Sequence, residues 1–585
     1  MKVRGFKGEH SDISYVKCSP YKLEKINLEA MAQKALKYLY SNPVPEADYQ
    51  CRFSFAPSAC PPFAPIVKVD GYIDAITEGD TESRNDVAFR MMREMIGDFE
   101  TGSVPEERVH ERLIGYLTKE GYGKDVCRTH EYSNSTDNPD IYLTLWTTCM
   151  LLQSECMRFR QGVTDLTLAR RIFEGMAALV TRENGQGYYR FGVAAFNEEK
   201  QSEGYKGHYP TVFSGFCEYW LVSGDERCWS LMTELAEGFV LDLMPGHLHK
   251  GNGEIEGHNH VQLHAIRGMA QFAYLSGEPR YLSWVKAVYD YYRKWALDTG
   301  WLPEIRSLYE HCTHSETCLN GDMFETALWL ALSGYDELWD QLERDLRNYF
   351  NLMQFELTDE LLDWYKNVHS DKTPEQIEEA VAILKDLEGG FISAVTPNDY
   401  VFEVDADKTH FGMVEYNGKK IVFDMMGCCP PEGMRSIYYA WKYAQQTDEN
   451  GVTIYLPIDS ESTEAKVETE LPNEGKIKIK MEVSAPLKVR IPAWVDRNKV
   501  TLTVNGEKRR FNWCGTANNY ILINDTLPGD EITVEYPLVE FYQKVTVNYF
   551  EQEPKDYTYH WVGNSVVGVE PKGEYLPLYN YKICY

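Results

Sequence analysis

The chain has 585 residues, enough for two to four domains, and its 43% hydrophobic and 13% aromatic content can build substantial cores. Fifty-nine Lys and Arg against 89 Asp and Glu leave a net charge of −30, which repels phosphate backbones and anionic lipid surfaces and argues against nucleic-acid binding. The fourteen cysteines show no small-domain disulfide spacing, which favours a reducing compartment.

Met1-Lys-Val-Arg-Gly-Phe-Lys-Gly8 is basic with no apolar run behind it, and no stretch is apolar enough to span a bilayer. A cytoplasmic location with no membrane partner is therefore expected, or a periplasmic one if a signal peptide has been trimmed. Forty tyrosines and thirteen tryptophans offer aromatic platforms for sugar rings as well as core.

Residues 1–22 read as irregular or extended, and Leu23 to Leu39 as a helix from the spacing of Leu, Ile, Met and Ala. Residues 48–79, with Pro61, Pro62 and Pro65, read as a long loop. Asp80 to Asp86 is then an acidic cap or cleft rim ahead of a helix over residues 87–96. Ile141, Leu145, Cys149, Leu152 and Cys156 step by three and four, as do Val212, Phe213, Phe216, Cys217 and Trp220, so both are amphipathic helices.

A quasi-repeat marks helix ends at Val222-Ser-Gly224, Leu275-Ser-Gly277 and Leu332-Ser-Gly334, with glycines 53 and 57 residues apart and two helices in each interval. About a dozen helices between residues 23 and 446 predict hairpins closed into an (α/α)6 toroid. Residues 357–387 read as one or two acidic surface helices inserted into it. From Val452, Ile454 and Leu456 onward the period is alternating, with turn signals at Asn473-Glu-Gly475, Asn505-Gly506 and Pro528-Gly529. The expectation is a mainly α chain with β: a toroid over 1–446, a β-sandwich over 447–540 and a β extension over 541–585.

Two segments concentrate metal-ligand chemistry: His311-Cys312-Thr313-His314-Ser315-Glu316-Thr317-Cys318, and Gly427-Cys428-Cys429-Pro430-Pro431. Adjacent cysteines close on each other only with strain, so Cys428 and Cys429 read as free thiols with a shared metal as their natural partner. Glu316, Cys318, Cys428 and Cys429 would suit zinc. The plainer alternative is buried cysteine in a core.

These motifs, with Gly257-His258, Gly268-Met-Ala270 and Leu487-Lys-Val-Arg-Ile-Pro-Ala-Trp494 leading to Val504-Asn-Gly506, resemble the bacterial zinc-dependent β-L-arabinofuranosidase family over most of the chain. The resemblance implies a retaining glycoside hydrolase that releases a terminal sugar, β-L-arabinofuranose or similar, from an oligosaccharide or glycoconjugate of plant or bacterial origin. It implies Zn2+ held by Glu316, Cys318, Cys428 and Cys429, Cys428 as the thiolate nucleophile, and an acid at Glu304 or Glu310, of which Glu304 is preferred for its neighbours Trp301 and Pro303. His258, and more weakly His208, would contact the sugar, while His260 and His264 are equally open to a core reading. The chain departs from the family in its acidic insertion and in Glu432-Gly433 after Pro431, where the family tends to have asparagine.

Two other functions compete. One is a toroid hydrolase that uses two carboxylates, from Asp80, Asp86 and Glu304, around a structural zinc. The other is a glycan-binding protein without catalysis. The sequence leaves the sugar and the oligomeric state open.

Overall fold

Inner helices of this protein touch one another in succession until the last returns to the first, which makes a ring. The computed structural model describes residues 13–18, 22–52, 54–62, 77–99, 103–115, 117, 119, 121, 145–183, 186–189, 212–242, 259–304, 313–404, 412–547 and 553–579. Within them the helices are α1 (Leu28–Ser41), α2 (Glu82–Ile96), α3 (Val104–Gly115), α4 (Leu145–Arg160), α5 (Thr167–Ala178), α6 (Phe213–Ser223), α7 (Glu226–Asp242), α8 (Asn259–Ser276), α9 (Pro279–Arg293), α10 (Thr317–Leu332), α11 (Leu338–Asp345), α12 (Asp359–Val368), α13 (Pro374–Asp386) and α14 (Cys429–Lys442).

The inner ring runs α2, α4, α6, α8, α10, α14 and back to α2, and α1, α3, α5, α7, α9 and α11 pack outside as hairpin partners. This is the (α/α)6 toroid. Residues 317–331 of α10 are buried on every side, as befits a helix inside such a ring. Gly224, Gly277 and Gly334 end their helices with φ of 63°, 62° and 100°, a region glycine enters without the Cβ penalty, so the repeat does mark hairpin ends.

Three expected boundaries moved. The first helix starts at Leu28, capped by Asn27 Oδ1 accepting from Ala30 N at 2.9 Å. Leu23 and Ile26 are buried without being helical. The Leu23 backbone instead exchanges two hydrogen bonds with the Asn473 side chain, at 2.6 and 2.8 Å, and its side chain packs on Val562 and Val567, so its burial imitates a helical period.

The acidic run does not precede its helix. A π-helical turn over Thr77–Thr81 leads straight into α2 at Glu82, and Glu82 and Asp86 lie buried inside it. The long loop contains short strands: Ser54–Phe55 pairs with Met425–Met426, just ahead of the cysteine pair. The insertion is two helices, α12 and α13, the second closed by a Thr373–Gln376 capping box. Tyr365 Oη donates to Ala59 O at 2.7 Å and His369 Nε2 lies 2.9 Å from Ser58 O, so the insertion braces the strap that carries strand 54–55.

The β region holds two antiparallel-dominated sheets. A six-stranded sheet orders Ser460–Glu461, Ala465–Thr469, Lys476–Met481, Glu531–Glu535, Thr501–Val504 and Glu507–Lys508. A five-stranded sheet orders Gln445–Asp448, Gly451–Ile454, Leu487–Arg490, Tyr520–Ile523 and Asn512–Cys514, with one parallel pair, Gly451–Ile454 beside Leu487–Arg490. Ile477, Ile479 and Met481 point inward from a strand whose lysines point out. Asn505 and Gly506 have φ of 53° and 81°, as a type I′ hairpin turn demands. Beyond these, Glu540–Val547, Lys555–Val562 and Ser565–Glu570 form a third sheet whose outer strand is Ile13–Val16, from far upstream in the chain.

Arg490 ties strands to ring. It is fully buried, reaching Asp340 Oδ1 at 2.6 Å and also Glu343, both on α11, while Trp339 stacks on Tyr455 at 4.3 Å. Among the described residues no helix is long and apolar enough to cross a membrane.

A second buried ionic cluster joins α2, α3 and α4. His110 lies between Asp86 Oδ2 at 2.9 Å and Glu155 Oε1 at 2.8 Å, and Arg158 reaches Asp86 Oδ1 at 3.1 Å. Burial opposes charge on His110, but the Asp86 charge and the hydrogen bonds to Asp86 and Glu155 outweigh it and raise the imidazolium to about 9. Because that value lies above the unfolded one near 6.5, the contribution to stability is complete below about pH 6.5 and is lost as pH rises through about 9. It is on the order of 3 kcal/mol, since each tenfold gain in proton affinity is worth about 1.4 kcal/mol. Melting temperatures of wild type and His110→Gln should therefore differ most near pH 6 and converge by pH 10.

Candidate metal centre

Two inner helices begin at the same place. Glu316 is the residue before α10, extended at φ −131° and ψ 133°, and Cys318 is the second residue of that helix. Cys428 immediately precedes α14, and Cys429 is its first residue.

The entry to α10 is templated by residues 392–395, through Ser315 N to Val395 O at 2.9 Å, Thr317 N to Ser393 O at 2.8 Å and Thr317 Oγ1 to Ile392 O at 2.6 Å. The entry to α14 contains Pro430 and Pro431, which suit a first turn because its N–H groups have no partner within the helix. Both helices thus present their positive ends to the same four side chains, which favours thiolate and carboxylate there. Gly321 permits the approach: a Cβ at that position would lie 3.0 Å from Ser436 Oγ and 3.3 Å from Glu432 O of α14.

Glu316, Cys318, Cys428 and Cys429 are all buried, with one ligand atom from each within 4.8 Å of the others. Cys428 Sγ is 3.9 Å from Cys429 Sγ and 3.6 Å from Glu316 Oε1, and Cys429 Sγ is 3.7 Å from Glu316 Oε1. A tetrahedral zinc with Zn–S near 2.3 Å and Zn–O near 2.0 Å has S···S edges of about 3.8 Å and S···O edges of about 3.5 Å, so three measured edges match. The fourth, Cys318 Sγ to Cys429 Sγ at 2.9 Å, is tighter than such an edge yet far longer than the S–S bond of about 2.05 Å. All three cysteines are free. Soft sulfur with one carboxylate is a donor set that zinc favours, and the residues fit that ion.

Among the thiols Cys428 is singled out. Hydrogen bonds from Cys318 and Cys429 hold its thiol below the ordinary range against the opposing effect of burial, whereas burial pushes both partners well above it. Arg84 of α2 adds a positive charge that acts on Cys318 and Cys428.

Glu304 stands beside this cluster. Pro303 bridges Ser315 across a short antiparallel pairing, Glu304 N donates to His314 O at 3.1 Å, and the carboxyl meets His314 Nε2 at 2.6 Å. Both side chains are about one-fifth exposed, and His314 stacks on Phe402 at 4.2 Å. Trp301 is buried with its indole N–H on Val395 O at 2.9 Å, so the group that meets the Glu304 carboxyl is the His314 imidazole, unlike the apolar setting expected.

Asp424 is a further carboxyl here. It is buried, its Oδ1 has no hydrogen-bond partner, and burial first and the Cys428 charge second raise it well above the carboxylate range, with Glu304, Glu316 and His314 also acting on it.

His208, His258 and Glu310 lie outside the described residues. His260 and His264 are buried in α8, the first on Asp322 and the second stacked on Trp146 at 3.7 Å. Asp80 binds Arg84 Nε at 3.0 Å, and Asp86 is committed to His110 and Arg158 on the α3 and α4 side of α2, so Asp86 does not join Glu304. Sequence reasoning missed Arg84, His314 and Asp424 as neighbours of the cysteines. His314 alone stood in a motif, and nothing local links 304 to 314.

A ring of helical hairpins with a thiol and carboxylate centre where its inner helices begin, followed by β sheets, defines the class. Residues 452–538 match the middle domain of the GH127 β-L-arabinofuranosidases. The chain superposes on a GH127 β-L-arabinofuranosidase from Geobacillus stearothermophilus T6 at a TM-score of 0.55 and 15% identity, covering 92% of this chain and 80% of the other. A GH127 β-arabinofuranosidase gives 0.58 at 14%, covering 95% and 85%, and a structure described as a glycoside hydrolase gives 0.56 at 13%, covering 96% and 84%. No curated protein matches the chain by sequence. The chain thus shares the fold of these glycoside hydrolases over most of its length and the GH127 middle-domain pattern over residues 452–538.

Cobalt(II) added to the reduced protein should give the intense near-ultraviolet bands of thiolate-to-cobalt charge transfer. Cys318→Ala should weaken them, and Cys318→Ala with Cys429→Ala should nearly abolish them while the far-ultraviolet circular dichroism persists.

Proposed function

We propose that this chain is a retaining glycoside hydrolase acting on oligosaccharides or glycoconjugates, which releases a terminal β-L-arabinofuranose or similar sugar. The observation that carries this reading is the convergence of three thiols and a carboxylate on two helix N-termini, beside the Glu304–His314 pair. Glu316, Cys318, Cys428 and Cys429 would hold one zinc ion, which when bound keeps the sulfurs deprotonated at neutral pH.

In this reading the segment 1–446, whose helices form the ring and whose strand Ile13–Val16 joins the third sheet, carries the chemistry, and the β segments 447–540 and 541–585 support it. The Cys428 thiolate attacks the anomeric carbon as the glycosidic bond breaks, and Glu304, paired with His314, protonates the departing oxygen. Glu304 then takes a proton from water, which displaces the sulfur from the opposite side to it, so two inversions give net retention. Burial of Cys428 beside the positive ends of α10 and α14 keeps water from solvating the attacking sulfur.

The two-carboxylate alternative loses Asp86, which faces elsewhere, keeps Asp80 and gains Asp424, an electrostatic neighbour of Glu304.

One zinc per reduced chain is expected by elemental analysis, and a metal-free preparation with full activity would overturn the zinc-thiolate reading. Cys428→Ser should lose essentially all turnover on nitrophenyl glycosides, because a hydroxyl stays protonated at neutral pH, whereas Cys429→Ser should recover partly in excess zinc. Glu304→Gln should spare activated leaving groups relative to natural glycosides by about 10²-fold or more. A haloacetamide sugar analogue should label Cys428 in peptide mass spectrometry. Label on a carboxylate would promote the alternative.

A further inference from the structure

Asp322 lies four residues after Cys318, and Glu432 four residues after Cys428. On a helix that spacing places each carboxylate on the same face as its cysteine, one turn farther in. Both are essentially inaccessible to solvent, and their partners close a circle.

His260 Nδ1 lies 2.6 Å from Asp322 Oδ2, and His260 Nε2 lies 3.2 Å from Arg84 Nη2. Arg84 Nη1 donates to Glu432 Oε1 at 2.9 Å, Arg267 Nη1 reaches Glu432 Oε2, and Arg267 Nη1 returns to Asp322 Oδ1 at 2.8 Å. A guanidinium can only donate, so Nε2 of His260 accepts and Nδ1 carries the proton toward Asp322. The circle thus holds two guanidiniums and two carboxylates, with Asp80 a further carboxylate on Arg84 Nε at 3.0 Å. The circle takes members from α2, α8, α10 and α14. Beneath it Trp146 of α4 lies under Arg84, 4.8 Å from its guanidinium carbon.

We propose that this closed ring of Asp322, His260, Arg84, Glu432 and Arg267 is the positioning device of the thiol cluster. Resting on the metal-centre reading above, it fixes the spacing of Glu316 and Cys318 from Cys428 and Cys429 and thereby sets how tightly zinc is held.

The physical reason is the rigidity of helices. The two ligand pairs sit on separate chain segments more than a hundred residues apart, and the cross-link between α10 and α14 one turn away from them is ionic, buried and shared through a single arginine. Removing one charge leaves a buried opposite charge uncompensated, and relief comes from water entry or a shift of one helix against the other. Either moves sulfurs that must stay on the edges of a small tetrahedron. Partners of this indirect kind commonly alter metal affinity by about 10–100-fold.

The test measures zinc affinity of the full reduced chain by competition with a fluorescent chelator, alongside thermal melting and the cobalt(II) spectrum. Asp322→Asn and Glu432→Gln should each weaken zinc at least tenfold and shift the cobalt bands while the far-ultraviolet circular dichroism holds. The double variant should lose little more than the worse single one, because both break the same circle.

Arg490→Met removes a buried ionic contact at the sandwich junction. It should lower the melting temperature and leave zinc affinity unchanged. Arg267→Lys keeps the charge and loses the two-sided reach, so it serves if the neutral variants do not fold: weaker zinc binding supports the inference. Folded variants with wild-type affinity, or losses that multiply in the double variant, would overturn it. A wild-type chain that binds no zinc would overturn the metal-centre reading and this inference with it.

Discussion

The approach of α10 to α14 at their first turns governs the rest of the molecule. It brings Glu316 and Cys318 to Cys428 and Cys429, and it is possible because Gly321 presents no side chain to the backbone of α14. The same approach closes the circle of inner helices, since α14 is also the neighbour of α2. A hairpin array without that closure would still be helical but would hold no site.

The price of such closure is charge inside the ring. Arg84, Arg267, Arg435, Asp322, Glu325 and Glu432 are all buried, and each would be costly alone. They are tolerated because they pair across helices, as Arg435 does with Glu325, so the polar interior specifies which helices adjoin where an apolar interior would specify less. Periodicity nonetheless finds inner helices such as α4 and α6, whereas α10, buried on every side, shows no polar face to mark it.

Legibility in the sequence divides along the same line. The toroid could be read from three Ser-Gly helix ends, whose glycines adopt positive φ, and the sandwich from the alternation of Ile477, Ile479 and Met481. Cys428 and Cys429 could be read as free thiols because adjacent cysteines close on each other only with strain, and Glu316 and Cys318 joined them through the second ligand-rich segment and the family resemblance. The pairing of Glu304 with His314, the place of Arg84 and the burial of Asp424 could not, because each depends on contacts between segments with no shared local pattern. Leu23 misled for the opposite reason: its side chain packs on Val562 and Val567 and its backbone is held by Asn473, 450 residues away, and neither contact is a helix face. Asp86 misled because an acidic residue at a helix start imitates a cleft rim, whereas here His110 and Arg158 neutralise it.

The strand Ile13–Val16 pairs with Glu540–Val547 along four residue positions, Ile13 opposite Gln543 and Val16 opposite Glu540. During synthesis this early segment has no partner until a strand more than five hundred residues downstream has left the ribosome, so its backbone donors and acceptors wait exposed throughout the making of the ring. Translation order and folding order are therefore opposed at this sheet: a strand made before every helix of the ring is placed only after all of them.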